Sequence, residues 1–400
     1  MNWKQSETEL KCVMGIFHGS RAFGGPLQAD LGLTNRCGLQ CLHCFYYSPH
    51  TDKPNLKPLL RAKKRDSELP SQKSLTDLLN LDANTDRTNK LIDELISMGT
   101  CRFEFIGGGE PFLHDNALEF MARAKHAGGT CLVNTSGYLF DKDKMDALLK
   151  MGFDVLRITT MAGTRDMYIR THPKAKKSTF DDIENNLNYL AERKKASGRR
   201  YPKIELICVV MSENIDGLKD FAEFAVRMNA DALQYRAFAD VDDPGLAGLV
   251  PSKAQSSSAR KALADIKPYL DSHRLKHNID HFMKITRRQL DTTALYHIIP
   301  CCYGWAATRI LPDGNVYPCC KCYDSMGNVN DTDFRDIWYG ETYRRFRKAA
   351  GRINKHDFEV SGCSCYSCSH HAANLRIFRA LHPIKKRAKR LQRLATMGLE

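Results

Sequence analysis

From residue 29 to about 238 the chain alternates short β-rich runs with stretches whose apolar positions recur at helical spacing. Six strands are predicted, at 29–34, 102–106, 131–134, 154–159, 204–210 and 232–238. Helices are predicted between them at 88–98, 117–126, 141–151, 180–196 and 215–228. Strands that alternate with helices build a parallel sheet wrapped by helices. Eight βα repeats close a barrel. Six predict an α/β fold of the partial (β/α)6 TIM-like kind, open at the side, with functional residues on the loops at the carboxyl ends of the strands.

Outside this region the pattern changes. Residues 45–86 form a Pro-, Lys- and Ser-rich insertion after the first strand, 240–258 read as a linker, and a helical region follows to about residue 291. A small Cys-rich segment then spans Cys301 to Cys368, and the C-terminus reads as a basic helix interrupted at Pro383. The expected division is an N-terminal extension at 1–28, the barrel at 29–240, a linker and helical region at 241–295, a Cys-rich domain at 296–375 and a basic tail at 376–400.

Composition narrows the class. Of the formal charge of +14, +5 falls in residues 51–65 and +7 in residues 376–400, so the body is nearly neutral and nucleic acid is not the expected partner. The tail suits RNA, an anionic membrane surface or an acidic partner, and equally a solvated helix end. No apolar stretch reaches the roughly 20 residues that cross a bilayer. The N-terminus MNWKQSETEL has no apolar signal-like core, so the 15 cysteines are expected in a reducing, cytoplasmic setting.

Cys37, Cys41 and Cys44 form C-x3-C-x2-C directly after the first predicted strand. Three thiolates suit a four-iron cube with one iron left open for a substrate or cofactor, or a zinc ion with a distant fourth ligand. The second strand is followed by Gly107-Gly108-Gly109-Glu110-Pro111, where glycines would let the backbone approach a ligand closely.

In that setting the sequence resembles the radical S-adenosylmethionine (radical SAM) superfamily, whose C-x3-C-x-Φ-C loop follows strand one and whose GGEP segment binds the methionine amino group. Here Φ is His43, in place of the commoner Phe or Tyr but still a flat ring for the adenine. Asn134-Thr135-Ser136-Gly137 resembles the turn after strand three. Thr159, in Arg157-Ile158-Thr159, resembles the ribose-contacting hydroxyl of strand four, and Asn214 follows strand five. Met161 stands where the family often has an acidic residue. For Asn134 and Thr159, strand-end capping is an equally good reading. The resemblance implies that Cys37, Cys41 and Cys44 hold a catalytic 4Fe-4S cluster, with His43, Gly108, Gly109, Glu110, Asn134 and Thr159 around S-adenosylmethionine. It also implies reductive cleavage of that cofactor to methionine and a 5'-deoxyadenosyl radical, and a flavodoxin- or ferredoxin-type electron donor.

The text Cys302-x11-Gly314-x4-Cys319, with a hairpin turn at 312–316, resembles the opening of the SPASM or twitch extension of that superfamily. Gly327-Asn328, Ile337-Trp338 and Cys365-x2-Cys368 continue the likeness. No cysteine follows Cys368, so one auxiliary 4Fe-4S cluster is implied rather than two. The expected ligands are Cys302, Cys319, Cys365 and Cys368, with Cys301, Cys320, Cys322 and Cys363 as neighbours or substitutes. A structural zinc ribbon is the alternative. Three functions follow. The first is an oxidoreductase-like enzyme acting on a small sugar- or aminocyclitol-like metabolite, with the auxiliary cluster as electron acceptor. The second is a peptide-modifying maturase, and the third a non-catalytic zinc or nucleic-acid-binding protein.

Overall fold

The computed structural model describes residues 3–51, 77–238, 244–288, 296, 298–353, 360, 362, 363, 365, 368 and 370–381. Most of the insertion at 45–86, the start of the linker at 240–258 and the tail beyond residue 381 lie outside them, as does Pro383.

The repeat is present in order. Strands β1 (Gln28–Gly32), β2 (Arg102–Ile106), β3 (Thr130–Thr135), β4 (Val155–Thr159), β5 (Lys203–Val210) and β6 (Ala232–Ala237) lie side by side, each parallel to the next. The predicted ends hold to within a residue or two. Helix α1 (Trp3–His18) precedes them. Between the strands run α2 (Thr85–Ser97), α3 (Ala117–His126), α4 (Lys142–Lys150), α5 (Arg165–Thr171), α6 (Thr179–Ser197) and α7 (Leu218–Arg227). Local chemistry sets the helix ends. Asn84 and Asp141 accept from the backbone N–H groups of Arg87 and Lys144, and Gly198 ends α6 in the left-handed region at φ 64°.

Two parallel strands were not anticipated. The two-residue β7 (Lys276–His277) pairs with β6, between α8 (Lys253–Ser272) and α9 (Ile279–Arg288). On the other edge β8 (Ala307–Ile310), preceded by the short α10 (Tyr303–Ala306), runs parallel to β1. The antiparallel β9 (Asn315–Tyr317) and β10 (Gly327–Asn328) extend that edge, giving the order β10-β9-β8-β1-β2-β3-β4-β5-β6-β7. The Cys-rich segment therefore continues the barrel's own sheet. Its first hairpin turns where expected, with Gly314 at φ +82°. Helices α11 (Phe334–Tyr339) and α12 (Glu341–Ala350) cover it, and α13 (His371–Leu381) follows. There the buried Arg347 guanidinium donates to the carbonyls of Gly304 and Trp338 and lies over the Trp338 and Tyr343 rings.

Strand alternation divides the sheet into two faces. Leu31, Phe103, Phe105, Val133, Leu156, Ile158, Ile204 and Leu206 pack into the main core under the helices. The intervening positions, Asp30, Glu104, Arg157, Glu205 and Gln234, fall on the inner face and are charged or polar. Arg157 Nε meets Glu205 Oε2 at 3.0 Å. Asp30 is buried and accepts from the Gln28 amide at 2.9 Å. Burial, aided by Glu104, pushes its carboxyl up to about 7.

An unfolded aspartate ionises near 3.9, so between about pH 4 and 7 the folded chain holds the extra proton and stability falls as pH rises. Asp30→Asn should remove this dependence and stabilise the protein at pH 8, by about 1.4 kcal/mol for each pKa unit relieved. Denaturant midpoints at pH 5 and pH 8 read it out, and parallel wild-type and variant profiles would count against it.

Candidate active site

The loop after β1 carries the first three cysteines and is pinned from two sides. Leu42 N–H donates to Thr171 O at the end of α5, and the N–H of Lys174 donates to Leu39 O. The Cys44 N–H turns back onto Cys41 O at 3.0 Å. Cys41 packs beside Leu42, Met161, Met211 and Phe238. Burial pushes the Cys37 thiol up to about 12 and raises Cys41 and Cys44 as well; thiol neighbours add to the effect at Cys37 and Cys41. Three thiolates cannot coexist here without a cation to compensate them, so the donor set fits a cationic iron centre. Among the described residues no three His, Cys, Asp or Glu side chains converge as a single ion would require.

The glycines also meet a demand within the protein itself. A Cβ on Gly109 would stand 2.0 Å from Arg36 O, and one on Gly108 would stand 2.6 Å from Asn35 Oδ1. They are required because two loops touch each other, the first bearing the cysteines and the second bearing Glu110. The contact is locked by Glu110 N–H donating to Arg36 O at 2.8 Å and Gly109 N–H to Thr34 O at 3.1 Å. The Glu110 carboxylate, buried, accepts from Thr135 Oγ1 at 2.6 Å, Ser136 N at 2.9 Å and Ser136 Oγ at 2.5 Å. Burial raises its pKa while these donors hold it down. The turn after β3 thus clamps Glu110, a role that its resemblance to a cofactor turn did not reveal.

Asn134 and Thr159 lie half-buried at the carboxyl ends of β3 and β4. Asn214 is committed to the protein: it donates to Met161 O at 3.2 Å and Val209 O at 2.9 Å and accepts from Met211 N at 2.8 Å. This knot makes 212–217 a 3-10 turn, so α7 starts later than the periodicity predicts. His43 is neutral, its pKa drawn down by burial to about 4, and its Nδ1 is buried without a partner. Three further orphaned polar atoms, Thr160 Oγ1, Tyr168 OH and His172 Nε2, belong to residues on the same rim. Tyr168 and His172 stack with centroids 4.1 Å apart. Nothing in the motif text pointed to them, although their i, i+4 spacing allows the contact.

The second cysteine group differs from expectation at one position. Cys301, Cys319, Cys365 and Cys368 line one pocket together with Tyr296, Tyr303 and His370. Cys302 turns away towards Cys12, with its N–H bound to Asn374 Oδ1 at 2.8 Å. Its neighbour Cys301 takes the place assigned to it, because α10 begins here and adjacent residues on a helical turn point in different directions. Cys322 and Cys363 are joined in a disulfide on the wall of the same pocket. Cys320 Sγ lies 3.4 Å from His370 Nε2.

Residues 31–225 match the family model of the Radical SAM superfamily, and residues 301–369 match SPASM, an iron-sulfur cluster-binding domain. The chain is similar to the PqqA peptide cyclase of Ruegeria pomeroyi, with 24% identity across 85% of this chain and 83% of the relative. Among solved structures it is similar to Streptococcus suis SuiB bound to S-adenosylmethionine, with TM-score 0.58 and 11% identity, covering 86% of this chain and 72% of SuiB. SuiB bound to its precursor peptide SuiA gives TM-score 0.57 and 12% identity, covering 86% and 71%. Native anSMEcpe with bound AdoMet gives 0.56 and 17%, covering 89% and 98%. At such identities the structural likenesses establish the fold, a partial barrel with its Cys-rich extension. No helix among the described residues is long and apolar enough to cross a membrane.

Gly109→Ala should destabilise the protein by about 1–3 kcal/mol, as overpacking does. Gly248→Ala, whose Cβ would meet nothing within 4 Å, is the control and should be close to neutral. Denaturant midpoints distinguish them, and equal midpoints would dispose of the loop-contact argument.

Proposed function

This chain belongs to the radical SAM superfamily and carries a SPASM iron-sulfur domain, and on that footing we propose that it modifies a peptide substrate by hydrogen abstraction. The observation that carries the reading is the half-buried trio of Cys37, Cys41 and Cys44 at the carboxyl end of β1, braced against the clamped Glu110. When bound there, a 4Fe-4S cluster and S-adenosylmethionine supply a 5'-deoxyadenosyl radical that removes hydrogen from the substrate. The chain's own tasks are binding and positioning. Cys37, Cys41 and Cys44 hold the cluster, and Glu110, fixed by Thr135 and Ser136, offers a carboxylate for an ammonium group. Gly108 brings its backbone to the same rim. The neutral His43 ring, with Asn134 and Thr159, lines the nucleoside side.

In the second centre Cys301, Cys319, Cys365 and Cys368 are the proposed ligands of one auxiliary 4Fe-4S cluster. Four thiolates leave no open iron there, which favours passing on the electron left on the substrate over binding the substrate itself. A flavodoxin- or ferredoxin-type protein is the proposed donor to the first centre. The relatives' names, a peptide cyclase and an enzyme with a bound precursor peptide, support a peptide over the sugar- or aminocyclitol-like metabolite expected first.

Iron content and 5'-deoxyadenosine formation test this assignment. Cys41→Ala should abolish 5'-deoxyadenosine. Cys319→Ala and Cys301→Ala should each lose about four irons, one cluster's worth, and retain cofactor cleavage while impairing substrate turnover. Cys302→Ala should keep its iron. Cofactor cleavage surviving in Cys41→Ala would refute the assignment of the first centre, and iron lost from Cys302→Ala but kept in Cys301→Ala that of the second.

A further inference from the structure

Arg309 is a half-buried cation on the inner face of the sheet. On β8 its neighbours face the other way: Thr308 is buried with its hydroxyl 3.0 Å from Tyr343 OH, and Ile310 joins the main core. Alternation therefore turns Arg309 to the inner face, in register with Asp30 of β1. Among the described residues its guanidinium makes no ion pair and no hydrogen bond. The groups around it are Tyr46, Cys320, Asp30 and Cys319, with His370 beyond Cys320. Tyr46 belongs to the loop of the first cysteine centre, and Cys319 and Cys320 belong to the second, so this cation stands between the two. Asp30 is a poor partner, since its carboxyl is engaged by Gln28.

A guanidinium presents five donors in a planar fork that matches a carboxylate in two parallel bonds. Resting on the reading above, in which a substrate loses hydrogen at one centre and an electron towards the other, we propose that Arg309 anchors a carboxylate of the peptide substrate between the two centres. Glu104, on the neighbouring strand of the same face, repels an anion and so favours the β8 side for the carboxylate.

The test uses the full iron-loaded chain under anaerobic conditions and three probes: acetyl-Gly-Glu-Gly-amide, its Gln counterpart, and acetyl-triglycine with a free carboxyl terminus. Calorimetry on wild type should show one carboxylate peptide binding about tenfold or more tightly than the Gln peptide. Preference for the Glu peptide assigns a side-chain carboxylate, and preference for the triglycine acid assigns a chain terminus. Arg309→Gln should erase the ratio and Arg309→Lys should keep part of it. Equal binding of all three probes by wild type would overturn the proposal. So would an unchanged ratio in Arg309→Gln, or a variant that alters only the reduction potential of the second centre, which would make Arg309 a charge-compensating group. Iron content and S-adenosylmethionine cleavage by wild type report separately on the enzyme reading, so the two can fail independently.

Discussion

The site rests on a contact between two loops that is closer than any side chain would permit. Gly109 lies against the backbone of Arg36, and this approach brings the segment after β2 onto the segment that carries the cysteines. From there the linkage passes along the rim by hydrogen bonds. Glu110 is fixed to the turn after β3, and Asn214 ties the loop after β5 to Met161 in the loop after β4. Each of these groups is buried, so each bond is made where water cannot compete for it and its loss would leave a costly orphan. The carboxyl ends of five neighbouring strands are thereby held as one frame, the rigidity that a site positioning reactive groups needs.

Within that frame the electrostatics are unbalanced. Burial raises the three thiols of the first centre, two of them further through one another, so the protein alone would keep them protonated. A positively charged iron centre reverses the sign of that cost, because it stabilises the thiolates that the apolar surroundings disfavour. The polar inner face follows a related logic. A closed barrel fills its interior with branched apolar side chains, whereas here Asp30, Glu104, Arg157 and Glu205 stand inside. The sheet has open edges at β7 and β10, and the charges on this face are held in part by pairing, as between Arg157 and Glu205, and in part at a cost, as at Asp30.

Much of this was legible in the text of the chain. Period-two and period-3.6 patterns located all six strands and five of the six helices between them, because each has one face committed to the core; the seven-residue α5 (Arg165–Thr171) was missed. The motif spacing also fell in the right loops. What escaped were features decided by contacts remote in sequence. β7 is two residues long and has no period to read. The pairing of β8 with β1 joins residues almost 280 positions apart. Cys301 and Cys302 are chemically identical neighbours, and only the onset of α10 decides which faces the pocket. The glycines were singled out for ligand approach, and the structure adds a second demand for the same missing Cβ, the contact between two loops, which sequence does not tell apart from the first. Tyr168, His172 and Arg309 carry no motif.

The shared sheet bears on how the two proposed metal centres would cooperate. Had the Cys-rich segment been a separate body on a flexible linker, the separation of the two cysteine groups would vary and electron passage between them would depend on chance encounter. Instead β8 is hydrogen-bonded along β1, the strand that launches the first cysteine loop, and Cys319 follows β9, which is paired to β8. Because β9 runs antiparallel, Cys319 follows at the amino end of β8 whereas the first cysteine loop leaves the carboxyl end of β1, so the two groups are offset along the strands as well as across them, and both offsets are fixed by one continuous ladder. Arg309 sits on the strand between them. A substrate held there would be equally constrained towards both, so the geometry that fixes the centres also selects what can lie between them.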